Sequence, residues 1–206
     1  TKLYPEFDDI LKHSMLGETY AFMQELVDGD LGVSNFIDSD FAMLNERLAQ
    51  HYGIDEFSGK GYQKIPLLPR HHRGGVITHG SVLKVSANGT TTSPIIRGVW
   101  LLERILGETI SPPPDDVGSV EPDIRGAVSI RDQLDKHRST KSCMACHRKI
   151  DPPGFALESF DVAGGWRQHY RALPEKGKWK DGPAVDPSYN LSNGKSFSDV
   201  EGFKTM

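Results

Sequence analysis

The stretch "KSCMACHRKIDPPG", residues 141–154, contains both cysteines of a chain of 206 residues. Cys143 and Cys146 stand three apart, and His147 directly follows the second. On a helical turn, positions i, i+3 and i+4 lie on one face. Two thiols placed this way can close thioether bonds on the vinyl groups of one porphyrin edge while the imidazole of His147 points at the iron. C-x-x-C-H is read as c-type haem attachment for that geometric reason, and histidine is the usual proximal ligand of haem iron. Met144 and Ala145 only span the turn. The spacing therefore predicts one covalent haem c on Cys143, Cys146 and His147.

Other readings of the same five residues fit less of the chain. A structural zinc site takes four ligands, usually as two separated pairs, and there is no second cysteine pair and no H-x-x-x-H. A thioredoxin-like dithiol opens a helix after a buried strand, whereas "LDKHRSTKS" before Cys143 is charged and helical in pattern. With both thiols consumed by a porphyrin, none remains for a disulfide framework. Haem addition to this motif takes place on the outer side of the bacterial inner membrane or in equivalent spaces. The mature protein is thus expected to be periplasmic or extracellular.

Composition agrees with a globular chain. The hydrophobic fraction of 37% can build a core, and the net charge of −4 without a block of like charge argues against a nucleic-acid footprint. No apolar run is long enough to span a membrane, and no signal peptide opens the sequence. Near the end, Ser198-Asp199-Val200-Glu201 has the spacing of a capping box with Ser198 as N-cap. The helix it would start stops at Met206, and two turns alone are marginal in water. The chain is read as a piece of something larger.

Along the chain, the first fifty residues read as helical. In "ETYAFMQELVDGD" Tyr20, Met23, Leu26 and Val27 recur at helical spacing before Gly29, and "DSDFAMLNERLAQHYG" offers an N-cap at Asp38, Ser39 or Asp40 with Phe41, Leu44 and Leu48 on one face. Residues 54–93 are broken by glycine and proline and are expected to be irregular, with either a hairpin turning at Asn88-Gly89 or a short helix from His79 to Lys84. A helix with Ser93 as N-cap, Pro94 at its first position, Ile95, Val99, Leu102 and Leu106 on one face and Gly107 as C-cap is the clearest element. "SPPPDDVGSVEPD" reads as an extended connector, residues 128–137 as a helix leading into the cysteines, and Pro152-Pro153 as a rigid turn. "GFALESFD" reads as a further short helix, "GGWRQHYR" as a turn into a strand, and residues 174–196 as weakly structured.

The remainder of the site is sought among the polar residues. A metal-bound histidine usually gives its second ring nitrogen to a carbonyl or carboxylate, and "KIDPPG" offers a backbone carbonyl within Ile150 to Pro153. Candidates for the sixth iron position are His79, Met15, Met23, Met43, Met144 and the remaining histidines. His79 leads because Gly75 and Gly80 would let backbone approach a porphyrin, whereas Met144 lies too close to the anchors and the other methionines sit in helical patterns. Arg73, Arg97, Trp166 and Arg167 are potential partners for the haem propionates. Asp151, Glu158 and Asp161 either gather around a calcium ion or form a solvated acidic face, the latter being the commoner fate.

Four long stretches and a short connector carry a family resemblance. "HRGGVITHGSVLKVSANGTTTSPIIRGVWLLERILG", the "PPP" connector and "CMACHRKIDPPGFALESFDVAGGWR" together resemble the large planctomycete-type cytochrome c proteins, which are multidomain and secreted. "DSDFAMLNERLAQHYGI" resembles the end of the domain before that block, and "DPSYNLSNGKSFSDVEGFK" the start of the one after it. The resemblance implies that Cys143, Cys146 and His147 are the haem anchors and proximal ligand, and that further domains of the same polypeptide lie at both ends. His79 does not carry over as a ligand. Members often occur with carbohydrate-binding modules, which implies a link to polysaccharide use without a chemistry.

The expectation is a mainly α fold, a cytochrome c-like haem-binding helical unit with irregular loops and little β structure. Residues 1–53 would end a preceding domain, 54–173 would form the haem unit, and 174–206 would begin a following domain. The expected function is electron transfer with a redox protein partner. The alternative is a haem enzyme, peroxidase-like or another oxidoreductase, with an open distal site; a third reading has the haem mainly stapling a small core.

Overall fold

A computed structural model describes residues 2–112, 129–137 and 141–206, without the side chains of residues 136, 137, 141 and 142. Most of the proline-rich acidic connector and the expected helix start at residue 128 lie outside the described residues. Among the described residues, seven α-helices run in the order α1 (Asp9–Asp28), α2 (Glu46–Tyr52), α3 (Gly80–Val85), α4 (Pro94–Arg104), α5 (Ile130–His137), α6 (Lys141–Ala156) and α7 (Val200–Lys204). The described strands, β1 (Phe41–Leu44), β2 (Gln63–Pro66), β3 (His169–Ala172), β4 (Lys180–Ala184), β5 (Tyr189–Asn190) and β6 (Ser196–Phe197), pair antiparallel as β1–β2, β3–β4 and β5–β6.

The fold is therefore mixed rather than mainly α, and the reasons are local. Phe41, Leu44 and Leu48 do sit at helical spacing, but Asn45 takes the N-cap, its side chain accepting from Leu48 N at 3.0 Å, so the helix begins at Glu46. That leaves Phe41–Leu44 extended, with Phe41 opposite Pro66 and Leu44 opposite Gln63. Residues 180–197 form strands despite their glycines and prolines because every strand of a two-stranded ribbon is an edge, where proline costs no ladder bond on the outer side. Residues 54–93 likewise hold β2 and α3 as well as loops. Of the two options near Asn88-Gly89, the helix forms, and a short turn follows it, closed by pairing of Ala87 with Thr92.

The best-formed contact is the crossing of α4 and α6. Ser93 caps α4 as expected, accepting from Ile96 N, with Pro94 at the first position. Its buried face is turned relative to the expected one: Pro94, Arg97, Gly98, Leu101 and Leu102 point inward, and Leu106 is exposed. Gly98 lies against the carbonyl of Ile150, and Gly154 lies against the carbonyl of Pro94, so each helix presents a glycine to the other's backbone. A methyl group at either place would overlap that carbonyl. Helices meet this closely only where the contacting residues are small.

Two prolines, Pro152 and Pro153, lie inside α6 rather than turning the chain, and the helix continues to Ala156, absorbing the start of the separate helix expected there. At the C-terminus, Asp199 replaces Ser198 as the cap, accepting from Gly202 N at 2.8 Å. Leu11, Met15, Leu44, Leu48, Ile54 and Ile65 form one core cluster; Ile77, Leu83, Leu101, Leu157 and Phe160 form a second beside α4. No described helix is long and apolar enough to cross a membrane.

Candidate functional site

Cys143, Cys146 and His147 all lie on α6. The two thiols are not joined in a disulfide; Cys143 is half-buried and Cys146 exposed. His147 is buried, three residues before Ile150 and seven before Gly154, on the helix face that meets α4. The imidazole is thus buried, while Cys146 is exposed and Cys143 partly so.

His147 Nδ1 donates to Asp151 Oδ1 at 2.7 Å. An ionised carboxylate only accepts, so this contact puts the proton on Nδ1 and makes Nε2 the nitrogen that a metal would take. The expected backbone acceptor within Ile150 to Pro153 is overturned. In a continuing helix those carbonyls point away from residue 147, whereas the side chain four residues on leans back toward the helix N-terminus and over the imidazole. The donor set suits a haem c: two unlinked thiols at i and i+3, with an imidazole at i+4 held by a carboxylate.

The other expected site residues have their own partners. Arg97 is buried and spans from α4 to residues 157–161: Nε donates to Ser86 Oγ, one terminal nitrogen to the carbonyls of Leu157 and Phe160, and the other to that of Asp161. Burial lowers its pKa to about 10 against the opposing pull of Glu158, so it remains a cation at neutral pH. Arg73 lies 3.4 Å over the Tyr52 ring and donates to the carbonyls of Thr78 and Gly164. Trp166 stacks flat on His72 at 3.9 Å and meets Phe160 edge-on. Arg167 pairs with Glu158 at 2.8 Å and donates to Thr92.

His79 packs edge-on against Phe22 of α1, with Nδ1 3.1 Å from Thr19 Oγ1. Burial, assisted by Arg73, pushes its pKa down to about 3, which keeps the ring neutral. Met15 is buried in the first core cluster, and Met23 and Met43 pack around Phe22 and Phe41. Met144 lines an open groove of about 700 Å³ with Arg131, Asp186 and Tyr189.

Asp151, Glu158 and Asp161 are neither a calcium cluster nor a solvated face. All three are buried and serve different partners: Asp151 holds His147, Glu158 pairs with Arg97 and Arg167, and Asp161 accepts from the amides of Ala163 and Gly165. Among the described residues, no three His, Cys, Asp or Glu side chains converge as a metal site.

A cluster missed at the sequence level lies between α1, α2 and α3. Glu18 accepts from Tyr52 Oη at 2.8 Å, and the amide of Gly80 points at both groups. Burial raises the Glu18 pKa to about 7, although Arg73 and the Tyr52 hydrogen bond oppose the rise. A polar residue on the buried face of α1 could have flagged it, had that face been read correctly.

Two family models match the chain. PSCyt3, described as "Protein of unknown function (DUF1588)", matches residues 73–170, and PSD4, described as "Protein of unknown function (DUF1592)", matches residues 1–54. These are names of planctomycete cytochrome c-type domains, and the two matches cover different parts of the chain, consistent with a multidomain protein. No curated protein and no solved structure matches the chain.

Proposed function

We propose that this chain is a c-type haem unit of an exported protein, and that it passes single electrons to and from a redox protein partner. The observation that carries the reading is the common placement on α6 of two unlinked thiols and an imidazole whose Nδ1 is tied to a carboxylate. The thiols of Cys143 and Cys146 would each add across a vinyl group, the sulfur bonding one carbon and hydrogen the other, with no net oxidation. His147 would ligate through Nε2. When bound, the haem supplies a one-electron ferric/ferrous couple. Asp151 would hold the imidazole in place, and Arg97 fastens the turn after α6 to α4. The cytochrome c-type names of the matching family models support the reading.

A second reading is favoured by the fates of the expected sixth ligands. Met15, Met23, Met43 and His79 are engaged in packing around α1. That suits a haem enzyme whose open position admits a small oxidant such as peroxide. The absorption spectrum of haem-loaded protein separates the two. Low-spin six-coordinate iron, reversibly reduced and inert to peroxide, is the expected result. High-spin five-coordinate iron that reacts with peroxide would replace the electron carrier by the enzyme.

A further inference from the structure

We infer that Asp151 is a positioning residue that sets the reduction potential of this centre by holding His147 as a strongly basic ligand. The inference rests on the haem reading above. Its grounds are geometric: a 2.7 Å contact from Nδ1 to Oδ1 along one helix, with Asp151 0% exposed and the His147 side chain 8% exposed. A carboxylate accepts a charge-assisted hydrogen bond, about twice as strong as one to a neutral acceptor. Where water is excluded, its charge is felt at higher strength.

A negative acceptor on Nδ1 draws the proton away from the ring and places more electron density on Nε2. Ferric iron, carrying one more positive charge than ferrous iron, gains more from that density. The centre should therefore favour the ferric state over a centre whose histidine donates to a neutral carbonyl. His147 and Asp151 lie on the same continuous α6, one turn apart, which sets the carboxylate over the imidazole.

The test uses full-length chain matured with haem in a host that attaches it, as the unvaried protein, Asp151→Asn and Asp151→Glu. Mass and pyridine haemochrome spectra first establish covalent haem in each; failure there in the unvaried protein removes the haem reading itself. Midpoint potentials are then measured by spectroelectrochemistry. Asp151→Asn keeps the shape and a neutral acceptor, and should shift the ferric/ferrous equilibrium about tenfold toward ferrous, a rise of ~59 mV for one electron. Asp151→Glu should return at least half of that shift. A rise of less than twofold in Asp151→Asn, or a fall, overturns the inference. Should Asp151→Asn fail to fold, the midpoint potential of Asp151→Ser, which also removes the charge, decides: a shift of at least twofold toward ferrous supports the inference, and a smaller shift or a fall overturns it.

Discussion

Glu18 carries a pH signature of its own. Its pKa rises from 4.5 to about 7 because burial penalises the charged form more than Tyr52 and Arg73 favour it. A raised folded-state value means that the native state holds the extra proton. The stabilisation is complete below the unfolded pKa and is lost as pH climbs through about 7. Glu18→Gln retains an acceptor for Tyr52 and removes the titration. Urea titrations from pH 4 to 8 should show the stability difference moving in favour of the variant by ~3 kcal/mol, mostly between about pH 4.5 and 7. A difference independent of pH would contradict it. Comparison with the variant matters because His79, held neutral with a pKa of about 3, makes stability change in the opposite sense over part of that range. At this scale the sequence disclosed the shared face of Cys143, Cys146 and His147 through spacing alone. It did not disclose Asp151 as the acceptor, because spacing alone does not choose between the side chain four residues on and a backbone carbonyl. Nor did it disclose Arg97 as a tether, because the carbonyls that Arg97 binds are about sixty residues away.

Among the elements, the crossing of α4 and α6 determines where the motif sits. Gly154→Ala would push a methyl group into the Pro94 carbonyl, so the helices must part or shift. Overpacking of this kind costs about 1–3 kcal/mol. Thermal unfolding of Gly154→Ala should show a loss within or above that span, and an unchanged midpoint would refute the close crossing. Helix α1 shows how periodicity can find an element and still misjudge its orientation. Its existence and its end at Gly29 follow from the sequence, yet Tyr20 and Val27 are 73% and 76% exposed. The buried face runs through Leu11, Met15, Glu18, Phe22 and Leu26 instead. Apolar spacing cannot choose between two stripes when one includes a buried glutamate that only a tertiary partner satisfies. The strands were missed for a related reason. Each pairs with one short partner, and β1 borrows residues that also fit the helical pattern of α2.

For the whole molecule, residues 1–54 and the stretch from Arg73 onward share their interior. Tyr52 accepts from the Gly80 amide and lies under Arg73, His51 Nε2 donates to the Ala163 carbonyl at 2.9 Å, and Leu3 and Tyr4 pack with Val162. The sheet of β1 and β2 also joins the two sides of the division expected after residue 53. This frame holds α6 against α4 with its cysteine edge outward, which is what a covalently attached haem requires. The most direct test is to produce the chain in a host that matures c-type cytochromes and weigh the product, with Cys143→Ser/Cys146→Ser as control. The account predicts red protein at the mass of the chain plus one haem, and colourless protein from the control. Unvaried protein that emerges colourless at the mass of the bare chain would contradict it.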